Sequence, residues 1–170
     1  MKKNIFIILI LLIINVYYGF STQKIYDDYK NKRIKLINNK IHYMCGKDYP
    51  DVANAIFYNV DPKFDSIIIS IIWKESRFNS KALSPKYNAS IHRDYGLMQI
   101  SSAYWKFDKD KILEPDYNIK FGYEIYQHFW DKSNSNLWYS LKYYNGSNEY
   151  ARSVLNIYAR LSKKFNEQLC

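Results

Sequence analysis

The sequence predicts an all-α fold built as a single domain. Apolar residues recur at three- and four-residue steps through successive stretches of the chain, the spacing of helices with one buried face. Those stretches are separated by helix-start and helix-stop signals: Asp61-Pro62, Glu114-Pro115-Asp116 and Asn145-Gly146. No run alternates with the period of two that marks a half-buried strand. With 170 residues, 48% of them apolar, the chain is long enough for one core plus short appendages.

Three segments follow in order. Residues 1–21 carry two early lysines and then an almost purely apolar run, Ile5 to Val16, which reads as an export signal or an N-terminal anchor in contact with the membrane during export. That run is short for a membrane span, which needs about 20 residues. Gly19-Phe20-Ser21 offers a weak cleavage site. Residues 22–50 are a polar, basic lead-in, either a leading helix or a solvated linker. The catalytic candidate occupies residues 51–170. Within it Asp51 to Val60 suggests a short helix, and Asp61-Pro62 starts a second in which Phe64, Ile67, Ile68, Ile71, Ile72 and Glu75 share one face. Lys81 to Arg93 reads as a loop. Asp94 to Ile100 is expected as a short helix beside Gly96, followed by a turn from Ser101-Ser102. Ile119, Gly122, Tyr123, Tyr126 and Trp130 mark another helix, with Gly122 allowing a close approach of its neighbour. Leu137, Leu141 and Tyr144 mark the next, and Tyr150, Val154, Leu155, Tyr158 and Leu161 an amphipathic last one.

The chemistry centres on Glu75. A carboxyl at the end of an apolar helical face is disfavoured as an anion by desolvation and by the negative end of the helix dipole. Kept protonated near neutral pH, it can deliver a proton to a leaving oxygen. The competing reading is a glutamate that merely finishes an exposed last turn. Asp94, nineteen residues on, is a second carboxylate candidate or else an N-cap for the short helix before Gly96.

Other classes are excluded by what is missing. There is no phosphate-binding glycine loop and no H-E-x-x-H. His42, His92 and His128 are scattered, and no serine sits in G-x-S-x-G, so no metal or cofactor is expected. The net charge of +9 favours polyanions. Without a dense Lys/Arg cluster it does not mark a nucleic-acid site. The eighteen tyrosines suit a wet, sugar-binding groove, although frequent Ile, Lys and Asn also fit AT-rich codon usage. Cys45 and Cys170 lack metal-type spacing and are either one disulfide or two thiols.

Four ordered motifs, E-S-R-F-N-S-K-A, D-Y-G-L-M-Q-I, L-E-P-D-Y-N-I-K-F-G and Y-Y-N-G-S, spread over Ile56 to Tyr158. In order and spacing they resemble bacterial lytic transglycosylases of the lysozyme-like SLT family, the small members associated with secretion systems above all. The resemblance implies a lysozyme-like fold and a monomeric, exported enzyme of the periplasm or cell envelope that cuts peptidoglycan glycan strands, with secretion-system components as possible partners. Glu75 would be the catalytic acid/base. Ser76, Gly96 and Gln99 would meet the sugar or its acetamido group, Met98 would line the groove, and Tyr144, supported by Asn145, would place its hydroxyl near Glu75. The first two motifs also resemble animal C-type lysozymes, in which the residue matching Asp94 is the second catalytic carboxylate. Hydrolysis by Glu75 and Asp94 is therefore the rival enzyme reading, and a non-catalytic wall-binding protein is the rival of another class. Two departures stand out: Lys142-Tyr143-Tyr144-Asn145-Gly146 lacks the small residue before glycine, and Asp116 stands where some relatives carry cysteine.

Overall fold

The computed structural model describes residues 2–86 and 92–166, the side chains of 2–18 and 20 excepted. The chain divides into two compact units, Met1–Leu36 and Ile37–Cys170. The first unit is the leading part of α1 (Lys2–Cys45). Its side chains from Ser21 to Tyr29 are all exposed, Ile25, Tyr26 and Tyr29 among them. Among the described residues no helix is long and apolar enough to cross a membrane. The apolar run from Ile5 to Val16, expected as an export signal or anchor, and Phe20 of the expected cleavage site fall on side chains outside the description, and Cys170 lies outside the described residues altogether. The Cys45 thiol donates to the Ile41 carbonyl at 3.2 Å.

The second unit holds five further helices among the described residues: α2 (Pro50–Asn59), α3 (Asp65–Ser76), α4 (Pro115–Lys132), α5 (Leu137–Asn145) and α6 (Asn148–Phe165). Its core begins ahead of Asp51, because Ile37 and Ile41, one turn apart at the end of α1, are fully buried in it. The centre is α3. Every residue from Asp65 to Ile72 is buried, because the segment is apolar or small on all sides. Asp61 caps not this helix but a 3-10 turn, Pro62–Phe64, by accepting from the Lys63 N–H at 3.0 Å. Phe64 then packs against Tyr126 and Trp130, with ring centroids 5.7 and 5.1 Å apart. Helix α6 packs on α3 and α5, and α4 packs on α2 and α5. Gly146, with φ +80°, ends α5 as the Asn-Gly signal predicts.

The short helix expected over Asp94–Ile100 does not form. Two-residue strands take its place, β1 (Asp94–Tyr95) and β2 (Ile100–Ser101), paired antiparallel with Asp94 opposite Ser101. Gly96 and Gln99 have left-handed backbones, φ +73° and +46°, which no right-handed helix accommodates. Asp94 therefore caps no helix; it stands in a strand.

Candidate active site

Glu75 sits in the last turn of α3, and the sequence stops the helix immediately after it. Arg77 and Phe78 both adopt left-handed backbones, φ 54° and 63°, at a cost of roughly 1–2 kcal/mol each. Packing offsets that strain. The Arg77 guanidinium stacks over the Trp73 ring at 4.2 Å, and Phe78 is buried between Tyr49 and Trp73. The carboxyl is thereby fixed at the negative end of a buried helix.

Facing it is the β1–β2 hairpin, whose turn is clamped by one side chain that the sequence reading missed. Asn118, buried in the first turn of α4, accepts from the Met98 N–H at 2.9 Å. Its amide nitrogen donates to the carbonyls of Tyr95 and Ile112 at 3.0 and 2.8 Å. Gly96 must be glycine here, because a Cβ would run into the Asn118 carboxamide and approach the Ile112 carbonyl to 3.1 Å. The Gln99 amide donates to the carbonyls of Gly96 and Ala82, at 2.9 and 3.3 Å. Beneath the turn, Met98 rests on α4 at Gly122, where a Cβ would lie 2.5 Å from the Met98 sulfur.

Between α3 and the hairpin runs an open cleft of about 470 Å³. Glu75, Asp94, Gln99, Tyr144 and Asn145 all line it, together with His92 and Tyr104. Tyr104 is 84% exposed, a bare ring at the rim. Three other candidates lie elsewhere. Ser76 is buried, and its hydroxyl donates to the Ile72 carbonyl of its own helix at 3.2 Å. Gly96, in the hairpin turn, is buried. Met98 is fully buried, so it forms the packing below the floor and not the lining. Among the described residues no three His, Cys, Asp or Glu side chains gather as a metal would need.

Burial pushes the Glu75 carboxyl up to about 7, aided by the nearby charge of Asp94 and opposed by the Tyr150 hydroxyl and by Lys74. The group therefore exchanges its proton near neutrality. The Tyr144 hydroxyl is close enough to Glu75 and Asp94 that their charges add to burial in holding it well above its ordinary value. Its hydrogen bond goes to the backbone, where it donates to the Met98 carbonyl at 2.9 Å and ties α5 to the hairpin turn. Tyr150, on α6, is the hydroxyl that interacts with the Glu75 carboxyl. Sequence periodicity places Tyr150 only on the buried face of the last helix. Its position six residues after Tyr144 is the one signal that it lies near the same site.

Residues 55–166, well over half the chain, match the family described as the transglycosylase SLT domain. Among solved structures the chain is similar to the 70-kDa soluble lytic transglycosylase in complex with bulgecin A, at 22% identity and a TM-score of 0.45, over 80% of this chain and 21% of that one. The chain thus spans about a fifth of that relative's length. No curated protein matches the chain. The family match over residues 55–166 shows that the chain belongs to the transglycosylase SLT domain family.

Proposed function

We propose that this protein is a peptidoglycan lytic transglycosylase in which Glu75 is the single acid/base. The observation that carries the reading is the Glu75 carboxyl, held in an open cleft with its pKa raised to about 7. In its protonated form Glu75 gives its proton to the oxygen between N-acetylmuramic acid and N-acetylglucosamine as the C1–O bond breaks. The substrate's acetamido oxygen traps C1, so no second carboxylate is demanded. The Glu75 carboxylate then removes the proton of the C6 hydroxyl, and O6 closes on C1. The product is a 1,6-anhydromuramoyl end, and no water is consumed. A carboxyl that titrates near 7 suits both halves of this cycle, since it must be acid first and base second. The apolar N-terminal run and the +9 charge support export and residence on an anionic wall. The likeness of the motifs to small secretion-associated enzymes supports a role in opening the wall for such an apparatus.

One observation favours a second reading. Asp94 lines the same cleft, close enough for its charge to act on Glu75. A carboxylate so placed would support lysozyme-type hydrolysis. Digestion of purified sacculi, with the fragments weighed, separates the readings. Anhydro ends, lighter than reducing ends by one water, are the expected product, and Asp94→Asn should still make them. Reducing ends that vanish in Asp94→Asn would establish hydrolysis. Binding without any cleavage would leave a wall-binding protein.

A further inference from the structure

The hydroxyl partner of the catalytic candidate is not the tyrosine that the motif points to. Tyr144 and Tyr150 stack on each other, ring centroids 6.3 Å apart and planes inclined by 21°, so both hydroxyls reach the same neighbourhood. Their hydrogen bonding differs. The Tyr144 hydroxyl donates to the Met98 carbonyl and has no second proton to give. The Tyr150 ring is 6% exposed, and its buried hydroxyl completes no hydrogen bond of standard length and angle. A buried hydroxyl without such a bond costs free energy, and a hydroxyl kept at that cost beside a carboxyl has an evident use.

We propose that Tyr150 is the positioning residue for Glu75: its O–H donates to the Glu75 carboxylate once the proton has left, and stabilises the base form needed for the second half of the reaction. Tyr144 serves the hairpin instead. The contact in the structure falls short of a standard hydrogen bond, as expected while Glu75 keeps its proton. Once Glu75 is ionised, a charge-assisted bond to the carboxylate is shorter and stronger. The other groups that face Glu75 do not offer this. Asp94 on β1 is a carboxylate and repels it. Lys74, on α3 itself, is exposed. His92 lines the cleft ahead of β1. Tyr126 on α4 acts on Tyr150. Burial keeps the Tyr150 hydroxyl protonated far above neutral pH, so it remains a donor through the whole range in which Glu75 titrates.

The role rests on the transglycosylase reading, but its test does not. Titration of the Glu75 carboxyl carbon by NMR reads the contact without any activity. In Tyr150→Phe the midpoint should rise above the wild-type value, because the carboxylate loses its donor. Tyr144→Phe should raise it less. Below the midpoint the fold of Tyr150→Phe should be as stable as wild type or more so, since there the substitution removes a buried hydroxyl that lacks a standard bond. An unchanged or lowered midpoint in Tyr150→Phe, or an equal or larger rise in Tyr144→Phe, would overturn the assignment. If wild type cuts sacculi, the basic limb of its pH profile should move up with the midpoint in Tyr150→Phe. A shifted midpoint in a protein that cuts nothing would refute the function and leave the positioning intact.

Discussion

The two walls of the cleft are built by different physics. The wall that carries Glu75, Tyr144 and Tyr150 comes from three packed helices, α3, α5 and α6. Its side chains are set by apolar burial spread over many residues. The wall that carries Asp94 and Gln99 is a hairpin of two-residue strands, too short to hold itself. It is set by a few hydrogen bonds, three of them from Asn118. The proposed acid/base sits on the wall that a single substitution hardly moves, and the cleft extends onto the wall that a single substitution can release.

That difference ranks the ways of breaking the cleft. Glu75→Gln should have the largest effect, a loss of activity of about 10²–10⁴-fold if the carboxyl is the acid/base, with wall binding retained in a pull-down on sacculi. The same variant should change the pH dependence of stability. Burial raises the folded pKa of Glu75 above the unfolded 4.5. Its contribution is therefore complete below about 4.5 and is lost as pH rises through about 7. Relative to Glu75→Gln, wild type should lose on the order of 1–3 kcal/mol across that interval, visible as a falling difference in Tm.

Next comes Asn118→Ala, whose side-chain hydrogen bonds go to no lining residue yet whose loss should release the hairpin wall. Three hydrogen bonds, two of them buried, vanish and leave the Met98 N–H and two carbonyls without that partner, a loss of about 2–4 kcal/mol in denaturant unfolding. Amide exchange at Met98 should accelerate, while amides in α3 follow only global unfolding. The smallest of the three is Gly122→Ala. The added methyl meets the Met98 sulfur and Cβ at 2.5 and 2.8 Å, and overpacking of this kind costs about 1–3 kcal/mol. Met98 is unbranched and able to shift, so the lower end is expected. Equal effects on both walls from Asn118→Ala would erase the contrast between them.

The same contrast explains what could be read in the sequence. Helices announce themselves through many residues at once. The spacing of Ile67, Ile68, Ile71 and Ile72 and the Asn145-Gly146 stop therefore sufficed to place α3 and the end of α5, and with them Glu75 and Tyr144. The hairpin depends on a left-handed backbone at Gly96 and Gln99 and on an asparagine 22 residues beyond Gly96. No periodicity reports such a contact, so the segment read as a short helix with Asp94 as its cap. Ser76 and Met98 belong to site motifs, yet the fold spends them on a helical back-bond and on floor packing. Tyr150 is the converse: its helical spacing marks it as core, and its interaction with Glu75 emerges only once α6 is packed against α3.

The most direct measurement is the titration of Glu75 itself in the wild-type protein, followed at its carboxyl carbon by NMR from pH 3 to 9. A midpoint at about 7 is expected for a carboxyl that serves first as acid and then as base. A midpoint at the ordinary 4.5 would show a glutamate that is ionised throughout the working range, unable to protonate a leaving oxygen, and would contradict its role at the centre of the cleft.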